Sequence, residues 1–106
     1  MKFARTTTVT GSIDKIAEIT SVWEQSILPA LKPVAGYEGA YLLIDPSTGE
    51  GVSLTFWASE QDAIAYEKSG LYTKLVESLR PFFTTRPTLR SYQVTAEAPS
   101  PAAAIR

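Results

Sequence analysis

Apolar positions along the chain switch between a period of two and a period of three to four, and the switches divide it into elements. Residues 2–11, KFARTTTVTG, are rich in Thr and Val and stop at glycine, the pattern of a strand. Alternation places Phe3, Arg5, Thr7 and Val9 on one face and Lys2, Ala4, Thr6 and Thr8 on the other. Ser12 then offers an N-cap, and Ile16, Ile19, Trp23 and Ile27 recur at helical steps as a core-facing stripe. Pro29 predicts a bend or an end to that helix, because it lacks an N–H and its ring crowds the preceding turn. Pro33 and Gly36 make the stop firm.

Residues 36–45, GYEGAYLLID, form a second predicted strand, followed by a proline- and glycine-built turn, PSTGEG. VSLTFW, residues 52–57, alternates again, with Val52, Leu54 and Phe56 opposite Ser53, Thr55 and Trp57. So short a polar loop between two strands predicts an antiparallel hairpin. The second strand is apolar on both faces, Tyr41 and Leu43 against Ala40, Leu42 and Ile44, so its sheet needs two covers. Helices of the same chain cover one face, and a second subunit is the simplest cover for the other.

Ser59 and Asp62 form a capping-box pattern at the start of a helix that Gly70 ends. Leu71, Leu75, Val76, Leu79, Phe82 and Phe83 continue at helical spacing until Pro81 intervenes. TLRSYQVTAE, residues 88–97, is the fourth strand. The order is βαββαβ, so the expectation is an α+β, ferredoxin-like domain over residues 1–97 with a four-stranded antiparallel sheet. Residues 98–106, APSPAAAIR, read as a mobile tail, or as an arm that orders only against a partner.

Composition narrows the chemistry. The net charge of −1 and the scattered basic residues argue against nucleic acid and anionic membrane partners. No apolar run approaches the roughly 20 residues that cross a bilayer, and MKFARTTTVTG has no apolar stretch of a secretion signal. The absence of Cys rules out disulfides and thiolate chemistry and fits a cytoplasmic setting. The absence of His removes triads, Cys–His pairs and imidazole ligands to metal or haem. Carboxylates, tyrosines, lysines or the ligand's own reactivity remain, and no bound cofactor or metal is expected.

AGYEGAYLLID at the second strand, the hairpin ending in VSLTFWAS, and the junction FWASEQDAIAYEKSGLY together resemble the antibiotic-biosynthesis monooxygenase-like family of dimeric α/β barrels, over residues 2–95. The resemblance implies a homodimer with a cleft between helices and sheet in each subunit. It also implies cofactor-independent monooxygenation of a phenolic or quinol-type molecule, or, failing catalysis, binding of a small hydrophobic ligand or a structural dimer module. Haem-degrading relatives carry a strand-one Asn, a Trp nine residues after the strand-ending Trp, and an iron-ligating His ten residues later. Thr7, Tyr66 and Val76 stand at those positions here, so haem degradation is not expected. Polyphenol oxygenases of the family use Asn, Trp and Tyr or Arg on their substrate; Tyr66, Trp57 and Arg80 take related parts.

Each candidate also has a plainer reading. Trp57 ends a strand, where packing alone accounts for an indole. Trp23 belongs to the helical stripe and reads first as core, and Thr7 as a filler between Phe3 and Val9. Arg5 and Arg80 read first as solvated charges and second as groups that stabilise a substrate anion. Tyr72 and Phe83 wall the helix side of the cleft, and Tyr41 suits the dimer interface better than the pocket. Tyr66 is the position that points toward a ligand. The candidate site is therefore Tyr66 as catalytic residue, with Trp57, Thr7, Trp23, Tyr72, Phe83 and Arg80 binding substrate.

Overall fold

The computed structural model describes residues 2–98. Strands β1 (Phe3–Thr10), β2 (Tyr37–Ile44), β3 (Glu50–Trp57) and β4 (Thr88–Gln93) form one antiparallel sheet in the order β2-β3-β1-β4. This is the expected α+β ferredoxin-like arrangement. Central strand β1 runs against β3 from Phe3↔Trp57 to Thr10↔Glu50 and against β4 from Phe3↔Gln93 to Thr8↔Thr88. The fourth strand is shorter than its sequence pattern predicts. β1 begins at Phe3, so after one further bond, Val94 N–H to the Lys2 carbonyl at 2.9 Å, the chain has no neighbour to pair with.

All helices lie on the face that carries Phe3, Thr7 and Trp57. The first helical run comprises α1 (Ile16–Val22), a π turn (Trp23–Ile27) and α2 (Leu28–Leu31). Two expectations are revised here. Ser12 makes no side-chain cap, and a 3₁₀ turn (Ile13–Lys15) opens the run instead. Pro29 does not end the helix, which runs on to Leu31. The π turn moves the Leu28 N–H onto the Trp23 carbonyl one turn ahead of the proline, which then sits among the first positions of α2, where a missing N–H is tolerated.

The second helical layer is α3 (Glu60–Lys68) and α4 (Leu71–Leu79). Ser59 caps α3 as predicted, its hydroxyl accepting from Asp62 N–H at 3.2 Å and donating to the Asp62 carboxylate at 3.0 Å. Gly70 follows in the left-handed region, φ 88°, and lets α4 start at a new angle. Gly36 is also left-handed, and a side chain there would collide with the Asp62 carboxylate at about 2.3 Å. Its carbonyl takes the Ala58 N–H at 2.8 Å, tying the start of β2 to the cap of α3.

The core comprises Phe3, Ile19, Trp23, Ile27, Leu31, Trp57, Ala63, Tyr66 and Leu79. Among the described residues no helix lies over the opposite face of the sheet, and Tyr41, Leu43 and Tyr92 are 62%, 52% and 51% exposed. No helix among the described residues is long and apolar enough to cross a membrane. The tail reading for residues 98–106 falls outside the described residues, apart from Ala98.

Candidate functional site

Side chains on the inward face of β3 shrink steadily along the strand, from Trp57 through Thr55 and Ser53 to Gly51. β1 runs antiparallel beside it from Phe3 to Thr7 and Val9, ending near Gly11. One end of the sheet is therefore filled and the other is floored by small residues. Above that floor lies a cavity of about 80 Å³, well beyond the roughly 10–15 Å³ that one water occupies. Ile16, Ile19, Trp23, Ile27 and Leu31 form one wall, and Tyr66, Tyr72, Leu75, Val76, Leu79 and Phe83 form the other.

The π turn explains how the first wall stays in line. Four residues at α-helical pitch overshoot a full turn by about 40°, and the steps 19–23, 23–27 and 27–31 are all four residues. Widening the turn between Trp23 and Ile27 absorbs that drift and keeps these residues facing the cavity.

Tyr66 stacks on Trp57 with ring centroids 4.7 Å apart and meets Tyr72 edge-on at 6.0 Å. Its hydroxyl has no hydrogen-bond partner among the described residues, although the residue is 7% exposed. Burial, with a smaller contribution from Tyr72, holds its pKa well above the usual tyrosine value, so at neutral pH it is a phenol and a donor. Tyr72 and Thr7 share a hydroxyl–hydroxyl bond of 3.0 Å. A second, smaller cavity of about 30 Å³ lies beside the first and is lined by Arg5, Glu67 and Leu89 together with Tyr66, Tyr72, Thr7, Ser53 and Thr55.

Of the residues singled out from sequence, Tyr66, Thr7, Trp23, Tyr72 and Phe83 converge on the first cavity. Trp57 and Arg80 line neither cavity. Trp57 is fully buried behind Tyr66, and its indole N–H is satisfied by Thr55 Oγ1 at 2.9 Å. Arg80 lies on the surface, where both its Nε and an Nη donate to Glu77. Arg5 reverses its first reading: its side chain is 13% exposed and pairs with Glu67. The alternation that groups it with Phe3, Thr7 and Val9 already carried that signal. The inward run of Thr55, Ser53 and Gly51 was the unused signal for the hollow itself.

The residues do not fit a haem. Val76 stands in the wall where the relatives' iron ligand is expected, the chain has no His or Cys, and no metal-holding cluster of acidic residues occurs among the described residues.

No protein-family model matches the sequence, and no curated protein is significantly similar to it. Solved structures resemble the fold closely. A monooxygenase from the ActVA-Orf6 gene of Streptomyces coelicolor, in complex with nanaomycin D, superimposes with a TM-score of 0.76 over 92% of each chain at 17% identity. A proposed antibiotic biosynthesis monooxygenase from Bordetella bronchiseptica gives 0.75 at 11% identity, over 90% of this chain and 98% of that one. The haem degrader MhuD from Mycobacterium tuberculosis, with two haems bound, gives 0.73 at 14% identity, over 92% and 99%. At these identities the likeness is one of architecture, and the chain has the fold of the antibiotic biosynthesis monooxygenases.

Proposed function

We propose that the chain takes a small phenolic or quinol-type molecule into the cavity and oxygenates it with dioxygen, without a bound cofactor. The observation that carries this reading is the free hydroxyl of Tyr66, a neutral phenol in the wall of a largely apolar cavity. Such a donor stabilises a substrate oxygen as negative charge develops on it. The substrate anion then passes an electron to dioxygen, and the apolar walls keep water from the reactive pair. The nanaomycin D held by the Streptomyces relative supports a small-molecule occupant for a chain of this fold.

Incubation with a dihydroquinone under ¹⁸O₂ tests the proposal. Label should enter the product, turnover should stop without oxygen, and Tyr66→Phe should lower kcat by about 10²-fold with little change in melting temperature. Unchanged turnover in Tyr66→Phe, or full turnover without oxygen, rejects the assignment.

One observation favours a second reading, binding without catalysis. Among the described residues, Tyr66 and Tyr72 are the only ionisable ones lining this cavity, and a phenol is a poor base at neutral pH. Native mass spectrometry with a metabolite mixture separates the two readings, since a retained, unaltered ligand supports binding and an oxygenated product supports catalysis.

The same proposal includes a homodimer closed over the open sheet face. Tyr41, Leu43 and Tyr92 are exposed there beside Leu54 and Phe56, an apolar patch of the kind that marks an interface. Lys2, over the Phe56 ring and paired with Glu38 and Glu97, supplies a charged rim. Light scattering should give a dimer that Leu43→Arg dissociates; a monomeric parent protein removes the argument. With no Cys to oxidise, the chain suits the reducing cytoplasm.

A further inference from the structure

Arg5 is held in an unusual state for an arginine. Its guanidinium is largely buried, one Nη donates to Glu67 Oε2, and its buried Nε–H has no partner among the described residues. Buried polar groups are almost always bonded, so an orphan of this kind calls for an explanation. Leu89 and Ala63, apolar neighbours in the small cavity, offer no side-chain acceptor. That cavity shares Thr7, Ser53, Thr55, Tyr66 and Tyr72 with the first one. Thr7 and Tyr72, joined through their hydroxyls at 3.0 Å, line both hollows, and a ligand oxygen can replace that bond.

We propose that the two cavities are one site, and that Arg5 reads an ionised oxygen at one end of a flat aromatic ligand through its Nε edge. This rests on the small-molecule reading above and adds which end of the ligand goes where: the ring lies against Trp23 and the helical walls, and the oxyanion reaches past Thr7 to Arg5. A guanidinium is a planar fork whose Nε–Nη edge matches a carboxylate or phenolate oxygen. Glu67, 42% exposed on its side chain, offsets the arginine's charge from the solvent side. It stabilises Arg5 in the absence of ligand and repels an anion when one arrives. The two residues thus have opposite effects on an anionic ligand, which a merely structural ion pair would not.

Calorimetric titration with 2-naphthoate and with 2-naphthylmethanol, matched in ring and different in charge, tests this. The parent protein should bind the carboxylate at least tenfold tighter. Arg5→Gln should erase that preference while keeping affinity for the alcohol, and Glu67→Gln should strengthen carboxylate binding. Arg5→Lys keeps a cation for Glu67 without the fork, so it should also lose most of the preference, and it covers the case in which Arg5→Gln fails to fold. Equal binding of both probes, or a preference that survives both Arg5 variants, overturns the role of Arg5 and leaves the cavity reading intact. Binding of neither probe overturns both.

Discussion

The two ends of the sheet's inward face obey the same alternation and differ in what fills them. At the Trp57 end, an indole with no exposure is stacked on Tyr66, met edge-on by Tyr37, and hydrogen-bonded to Thr55. At the Gly51 end the same strand offers Ser53 and then no side chain at all, and the helices above it bridge a hollow. Protein interiors are close-packed, so a floor of small residues beneath apolar walls sets space aside. One end anchors the fold and the other leaves a hollow; Tyr66 belongs to both.

The contrast breaks most easily at the packed end. Trp57→Ala should cost about 3–5 kcal/mol, a large share of the roughly 5–15 kcal/mol that holds a domain of this kind together. Urea unfolding measures it, and a loss near 1 kcal/mol would mean that the indole is not the anchor. The hollow end should respond with the opposite sign. A Cβ on Gly51 would meet its nearest atoms at 3.6–3.8 Å, ordinary contact, and its backbone is not left-handed. Gly51→Val should therefore gain about 0.5–1 kcal/mol, or roughly 2–6 °C in melting temperature. The same change should weaken ligand binding at least tenfold, because the side chain occupies the ligand's space. A lower melting temperature would show that the hollow tolerates no filling.

The contrast also separates what was legible in the sequence from what was not. Alternation in β1, β2 and β3, the Ser59 cap and the Gly70 break lead directly to the order of elements along the chain and the helix positions. Those signals are local, each set by a few neighbouring residues. Pro29 does not end its helix because a proline's effect depends on the hydrogen-bond frame of the turn before it, and that turn is a π turn. The site was legible in part. Thr7, Trp23, Tyr66, Tyr72 and Phe83 come together as their faces predict. Arg80 faces away from the cavity and pairs at the surface with Glu77, three residues earlier on the same helical run. Arg5 was harder to read, because the partner that lets a charge enter the interior, Glu67, lies 62 residues away in sequence.

The smallest effect concerns Tyr66 alone, where anchor and hollow meet. Its folded pKa is raised, chiefly by burial and then by Tyr72, above the value near 10 of an unperturbed tyrosine. The folded protein therefore keeps a proton that the unfolded chain releases. By linkage, the stability this contributes is complete below about pH 10 and falls as the pH rises beyond it. Tyr37, also raised by burial, adds a weaker slope of the same sign. Urea midpoints measured from about pH 9 to about pH 11 should decline in the parent protein and decline less in Tyr66→Phe, which has no proton to lose. If the two profiles run parallel, the Tyr66 hydroxyl is not held in the low-polarity setting that makes it a donor at neutral pH. The hollow end would then be wetter than its apolar walls imply, and the case for oxygen chemistry there would weaken with it.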